Sequence, residues 1–235
     1  MGIIKRIYNK FKTPFHLRSG NNYILWLRSQ GIRVGENCVV MNPSRLTIDC
    51  SIPDLLTIGD NVFMHYDLTI MTHDWAGYTL LNKYNDFVPS HAAVHIGNNV
   101  WFGMGVTVLK GVTIGDNVIV GAGSIVTKSI PSDSVAVGSP AKVVCSLDKY
   151  YHRRKAQSYE ETILFALEIF KNGRTPVVDD FYDDYPAFVD ASNYKEYNFN
   201  YKRQFSDEQF AEWLKHHKAP YNGFDEFMNE VRKRL

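Results

Sequence analysis

Ile96-Gly97-Asn98-Asn99-Val100-Trp101, Phe102-Gly103-Met104-Gly105-Val106-Thr107, Val108-Leu109-Lys110-Gly111-Val112-Thr113, Ile114-Gly115-Asp116-Asn117-Val118-Ile119, Val120-Gly121-Ala122-Gly123-Ser124-Ile125 and Val126-Thr127-Lys128-Ser129-Ile130-Pro131 are consecutive six-residue units in one register. An aliphatic or aromatic residue opens each unit, Gly often comes second, and a small or β-branched residue stands fifth. Periods of this length are a signature of parallel β-helices. Each unit supplies one short strand and one tight turn, so three units close a triangular coil of roughly 18 residues that stacks on the next. The opening and fifth side chains are expected to face the core, where β-branched residues suit a strand. The second-position Gly is expected to take a positive φ at the corner. A β-sandwich with Gly-rich turns would have no reason to hold one register through six units.

The period begins earlier. Val34-Gly35-Glu36-Asn37-Cys38-Val39, then Val40 and Leu46, keep the spacing, which is interrupted at Ile52–Thr57. It resumes with Ile58-Gly59-Asp60-Asn61-Val62-Phe63, Met64-His65-Tyr66-Asp67-Leu68-Thr69 and Ile70-Met71-Thr72-His73. It then breaks from Asp74 to Val94. A long excursion from a strictly repeating coil must leave at a corner and protrude, and long loops on rigid scaffolds are commonly functional.

The expected architecture is mainly β: a parallel β-helix over residues 32–145, with a protruding loop at about 74–94, flanked by an N-terminal helical segment (1–31) and a C-terminal helical, aromatic-rich extension (146–235). Ile3, Ile4, Ile7, Tyr8 and Phe11, and later Ile24, Leu25, Trp26 and Leu27, suit amphipathic helices. Residues 147–173 read as a helix closed by Gly173, 206–217 as a helix capped by Ser206, and 223–234 as a last helix. The formal charge of +1 offers nothing to nucleic acid. Apolar runs fall short of the ~18 residues that span a bilayer. Cys38, Cys50 and Cys145 have no metal-type spacing, and a reduced, cytoplasmic setting is the default. The basic stretch Lys5, Arg6, Lys10, Lys12 and Arg18 would suit contact with the inner face of an anionic membrane, or a solvated helix packed on the first coil.

Thr72-His73-Asp74-Trp75, the units around Gly97-Asn98-Asn99 and Gly115-Asp116-Asn117, and the closing Gly138-Ser139-Pro140-Ala141-Lys142-Val143-Val144 resemble the hexapeptide-repeat acyltransferases. Within that family the likeness is to acetyl-CoA-dependent sugar O-acetyltransferases: the galactoside and maltose enzymes, the xenobiotic enzymes and those that acetylate bacterial surface polysaccharides. The resemblance implies a left-handed coil, against the usual right-handed crossover, a homotrimer, and transfer of an acetyl group to a carbohydrate hydroxyl. It places the general base at His73. Imidazole can take a proton from a hydroxyl as that oxygen attacks a thioester, and no covalent enzyme intermediate is needed. A carboxylate or carbonyl must hold the other ring nitrogen; sequence proximity makes Asp74 a weak candidate, and nothing in the sequence singles out another.

Coenzyme A would lie in a groove between coil stacks. The resemblance gives the backbone N–H of Met104 to the thioester carbonyl, Ala122, Thr127 and Lys128 to the pantetheine and adenosine ends, and Lys142 to the 3′-phosphate, where Lys supplies charge without the fork of Arg. Trp101 would line the groove near the sulfur or pack between coils. Asp74, Trp75 and Tyr78 are candidate acceptor contacts, with Tyr84 and Phe87 as further aromatic faces on the loop. Residues 179–186 and 194–201 are expected to pack as part of the extension or to shape an acceptor cleft. No metal is expected; a zinc site from His65, His91 and His95 is conceivable by spacing but lacks matching local sequence. The alternatives are N-acetylation of an amino sugar, antibiotic acetylation, and a non-enzymatic β-helix scaffold.

Overall fold

A computed structural model describes residues 14–201 and 204–235. The apolar N-terminal residues up to Phe11 and the basic residues Lys5, Arg6, Lys10 and Lys12 lie outside the described residues. The chain divides into two compact units, one ending at Tyr151 and the other beginning at His152.

The first unit is a left-handed parallel β-helix. Its first face stacks Arg33–Val34, Leu56–Ile58, Val94–Ile96 and Thr113–Ile114. The second stacks Val39–Val40, Phe63–Met64, Val100–Phe102, Val118–Val120 and Ser134–Val137, and the third Thr47–Ile48, Thr69–Ile70, Thr107–Val108 and Ile125–Val126. Partners in the clean repeat are eighteen residues apart, as in Val100↔Val118 and Thr107↔Ile125, so one coil holds three units. First and fifth positions point inward. Ile96, Val100, Phe102, Val106, Val108, Val112, Ile114, Val118, Val120, Ser124, Val126 and Ile130 are all buried. Burial of such a side chain stabilises by about 1.5–3 kcal/mol, which explains why the pattern tolerates no polar opener. Cys38 occupies a fifth position and is buried, and its burial raises the thiol pKa.

The corners work differently from the sequence expectation. Left-handed φ falls on the fourth residue of the unit, as at Asn61, Asn99 and Asn117 (φ 56°, 53° and 56°) and at Gly105 and Gly123 (both 69°). The second-position Gly is required by the approach of the next coil. A Cβ on Gly97 would stand 2.8 Å from the carbonyl carbon of Gly115, and one on Gly103 would stand 2.5 Å from the amide nitrogen of Ala122. The third residue of the Ile-Gly-(Asp/Asn)-Asn corner links neighbouring coils. Asp60 Oδ1 accepts from the Glu36 amide (2.7 Å), Asn98 Oδ1 from the Asp60 amide (2.8 Å) and Asp116 Oδ1 from the Asn98 amide (2.6 Å). Each corner amide thereby gains an acceptor that the strand ladder does not provide.

The insertion leaves from the corner between the third and first faces. Thr57 pairs with His95, 38 residues on, whereas His95 pairs with Thr113, eighteen on, so this coil carries twenty extra residues. They are not all loop. His73–Asp74 pairs antiparallel with Ser90–His91 to form a neck, and Gly77–Tyr84 is a helix that ends at left-handed Asn85. At its start the coil is covered by the helix Gly20–Ser29, capped by Ser19 Oγ on the Asn22 amide (3.2 Å) and burying Tyr23, Ile24 and Leu27. At its far end Lys142–Ser146 folds back antiparallel on Ser134–Val137.

The helix Leu147–Lys171 follows and is terminated near Gly173 (φ 74°). The second unit buries Ile163, Ala166, Ile169, Phe181, Tyr185, Phe188, Phe227 and Val231 in a core of its own. Its two terminal helices, Asp207–His216 and Phe224–Arg232, match the expected ones, the former with a reciprocal cap between Ser206 and Gln209. Among the described residues no helix is long and apolar enough to cross a membrane.

Candidate active site

The corner from which the insertion leaves carries a column of polar residues from successive coils. Asp49 follows Ile48 in the first coil, and Ile48 pairs with Ile70 in the second, so Asp49 stands beside the stretch Met71-Thr72-His73. His73 Nδ1 lies 2.5 Å from Asp49 Oδ2, with Ser51 Oγ 3.2 Å from the same nitrogen. The buried Thr72 gives its hydroxyl (2.5 Å) and its amide (3.1 Å) to Asp49 Oδ2, and Ser51 gives its hydroxyl (2.6 Å) and amide (3.0 Å) to Oδ1. Burial alone would raise the Asp49 pKa, but the hydrogen bonds from Ser51, Thr72 and His73 outweigh it and hold the carboxyl well below the usual range. Asp49 is therefore ionised at neutral pH and can only accept. His73 must carry its proton on Nδ1, which leaves the Nε2 lone pair to receive one. Among the described residues Nε2 has no hydrogen-bond partner.

His73 lines a cavity of about 180 Å³ formed by the insertion together with Ile52. Its wall is mostly carbon: Ile52, Trp75, Tyr78, Phe87, Val88 and Pro89. Trp75, Tyr78 and Phe87 are 74%, 68% and 60% exposed, although apolar side chains of this size normally find cover. The Trp75 ring meets His73 edge to face at 6.4 Å. Asp74 also lines the cavity, but its carboxylate is engaged by Lys110, by Ser90 Oγ (3.3 Å) and by the Ala76 amide (2.9 Å). It does not orient His73.

Three of the candidate acceptor contacts, Asp74, Trp75 and Tyr78, thus share one cavity with His73. The candidate donor residues stand elsewhere on the coil, and all of them are exposed. Met104 and Ala122 stack on consecutive coils at the corner between the second and third faces, where the Gly123 amide donates to the Met104 carbonyl (2.8 Å). The Met104 amide itself has no acceptor among the described residues. Trp101 lies on the second face between Phe63 and Ile119. Thr127 and Lys128 follow Val126 at the corner of the Lys110 column, and Lys142 pairs with Val137 at the end of the coil. Within one chain His73 and Met104 therefore occupy different corners. His65 accepts from the Tyr66 amide (2.8 Å), His91 sits opposite His73 in the neck, and His95 is exposed on the first face. Among the described residues no three His, Cys, Asp or Glu side chains are grouped to hold a metal ion.

Sequence reasoning missed Asp49 and Lys110. The signal for Asp49 was the repeated Thr-Ile pair, Thr47-Ile48-Asp49 over Thr69-Ile70-Met71, but the two are offset by 22 residues and not eighteen. The signal for Lys110 was the insertion itself, which carries Asp74 out to meet the coil above.

A family model described as bacterial transferase hexapeptide (six repeats) matches residues 93–128. Protein CapG of Staphylococcus aureus is 36% identical over 155 residues, a span of 63% of this chain and 89% of CapG. Galactoside O-acetyltransferase of Escherichia coli (strain K12) is 42% identical over 100 residues, covering 41% of this chain and 48% of that enzyme, so this chain spans about half of its length. Among solved structures, a galactoside acetyltransferase in complex with coenzyme A is 36% identical (TM-score 0.42), with 52% of this chain and 67% of that one covered. A hexapeptide-repeat acetyltransferase of Vibrio cholerae complexed with acetyl coenzyme A is 28% identical (TM-score 0.42; 49% and 60% covered). With its repeats, its coil and a relative matched over nearly its whole length, this chain belongs to the hexapeptide-repeat acyltransferase family.

Proposed function

We propose that the chain is an acetyl-CoA-dependent O-acetyltransferase that acts on a carbohydrate hydroxyl, with His73 as general base and Asp49 as the residue that orients it. One observation carries the base assignment: His73, which lines the cavity, is bound through Nδ1 to an ionised carboxylate, while its Nε2 has no partner among the described residues. In this reading the acceptor hydroxyl lies in the cavity and gives its proton to Nε2 as its oxygen attacks the thioester carbonyl. Asp49 stabilises the imidazolium that forms without itself taking the proton, and the imidazolium returns the proton to the departing thiolate. Acetyl-CoA as donor follows from the resemblance set out above and from the identity shared with named acetyltransferases.

The Met104 amide, which has no acceptor among the described residues, suits the developing oxyanion, and Lys128 and Lys142 suit the phosphates of the donor. Because His73 and Met104 stand at different corners of the β-helix, the reading requires a second subunit to bring a donor wall to the base, consistent with the trimer that the resemblance implies. The exposed aromatic wall offers flat faces of the sort that stack on a sugar ring. The test compares wild type and His73→Ala by calorimetric titration with acetyl-CoA and by thiol release. Binding by both with acceptor-dependent release by wild type alone would support the reading. Equal release by the two proteins would remove the base.

A further inference from the structure

Asp74 and Lys110 hold a position that the reaction as proposed leaves unused. Asp74 is the residue after His73 and the second residue of the insertion's neck. Its carboxylate gathers three elements that are far apart in sequence. Oδ1 accepts from the Ala76 amide (2.9 Å), which sets the turn into the helix Gly77–Tyr84. Oδ2 accepts from Ser90 Oγ (3.3 Å) on the returning strand of the neck, and from Lys110 Nζ on the next coil. Asp74 and Lys110 are 27% and 28% exposed, so the pair is more shielded from solvent than Arg28–Glu36 at 32% and 77% or Arg45–Asp67 at 52% and 49%.

What else secures the neck is slight. The antiparallel pairing is two residues long, with one further backbone bond from the Ala92 amide to the Thr72 carbonyl (2.9 Å). A two-residue hairpin is not stable on its own. The helix of the insertion buries little beyond Gly77, and Tyr78, Leu81 and Tyr84 are exposed. His73 is fixed from below by Asp49 in the first coil, whereas the cavity wall beside it, Trp75 to His91, hangs from this neck. Lys110 is the side chain of the third coil that reaches the neck from above.

We propose that Lys110 is a positioning residue: through Asp74 it clamps the neck of the insertion to the coil and so holds the acceptor cavity in register with His73. This rests on the reading of His73 as base and of the cavity as the acceptor site. Loss of the clamp leaves the His73–Asp49 pair in place but frees the wall, and displacement of about 1 Å between a bound group and its base is enough to cost on the order of 10²-fold. The effect therefore falls on the acceptor and spares the donor.

The test uses the full-length protein with Lys110→Met and Lys110→Arg. Hydrogen–deuterium exchange followed by mass spectrometry reads the clamp without any need for turnover. Peptides spanning residues 73–92 of Lys110→Met should exchange about tenfold faster than in wild type, peptides of residues 100–126 should be unchanged, and Lys110→Arg should restore most of the protection. In acceptor titrations monitored by thiol release, Lys110→Met should raise the acceptor KM by about tenfold or more, with acetyl-CoA affinity unaltered. Should Lys110→Met unfold, Ser90→Ala and Asp74→Asn replace it, and each should loosen the same peptides. Unchanged exchange over 73–92 in Lys110→Met would overturn the proposal, as would a loss of acetyl-CoA affinity without loss of acceptor affinity, because Lys110 would then be a donor contact. These outcomes separate from failure of the base reading, which His73→Ala alone decides.

Discussion

Asp49→Asn removes a charge and almost no volume, which makes it the sharpest test of the site. In the wild type, Asp49 Oδ2 stands 2.5 Å from His73 Nδ1 and receives both the Thr72 hydroxyl and the Thr72 amide. Oδ1 receives the Ser51 hydroxyl and amide. Every neighbour is a donor, and an amide offers one acceptor oxygen and one NH2. If the oxygen turns toward Ser51, the NH2 meets Nδ1 and forces the proton onto Nε2, so the lone pair that the proposed base would use is lost. If the oxygen turns toward His73, the tautomer survives but the negative charge beside the developing imidazolium is gone. A unit charge about 4 Å from the ring centre is worth roughly 4 kcal/mol at an effective dielectric constant near 20, which at about 1.4 kcal/mol per decade is a rate effect on the order of 10³-fold. The assay is thiol release at saturating acetyl-CoA and acceptor, with acetyl-CoA affinity measured by calorimetry. The expected result is a fall in kcat of about 10³-fold with donor affinity unchanged. A kcat within threefold of wild type would refute the argument, since neither the charge nor the tautomer would then matter.

His73→Ala should lower turnover by about 10²–10⁴-fold while leaving acetyl-CoA binding nearly intact; near-normal turnover would rule out the base role. The folded-state pKa of Asp49 is depressed, so its ionised form contributes stability that is present above the ordinary carboxylate pKa and lost as pH falls through and below about 3.9. The difference in urea midpoint between wild type and Asp49→Ala should therefore shrink between pH 5 and about pH 2, and a constant difference would contradict the hydrogen-bond account. Gly97→Ala should cost more than Gly123→Ala in thermal melts. A Cβ at Gly97 meets Asp116 Oδ1 at 2.6 Å and the Gly115 backbone at 2.8 Å, whereas one at Gly123 meets nothing within 4 Å and adds only the strain of a φ of 69°. The first is expected to cost about 1–3 kcal/mol or more and the second about 1–2 kcal/mol; the reverse order would mean that the coil spacing is soft. Val118→Asp or Val106→Asp, at fully buried inward positions, should unfold the coil, and a folded, soluble variant would show the register to be wrong.

Much of the coil was legible in the repeat because its information is local. Ile114 and Val118 must face inward in any register that buries Ile96 and Val100, and six residues suffice to state it. The helices around Ile24 and Ile163 and the cap at Ser206 are equally local, and the insertion announced itself as the place where the period failed. The corners were read by their residues but not by their reason. The rarity of positive φ for non-glycine residues pointed to the second-position Gly, when Asn and Gly at the fourth position carry that conformation and the second is set by the coil stacked against it.

His73, at the root of the insertion, could be singled out as a candidate through the family resemblance, but not Asp49. Pairing between coils depends on how many residues each coil contains, and the offset between Thr47-Ile48 and Thr69-Ile70 departs from the regular period. The clamp between Asp74 and Lys110 was still less accessible, because it joins an inserted segment to a coil that the period places but the insertion does not follow. The amino-acid sequence by itself determined which side chains face the core and where the coil opens, since both follow from a repeat that each short segment obeys. Only the tertiary structure decided which carboxylate holds the imidazole and which lysine holds the neck, since those partners meet through the stacking of whole coils.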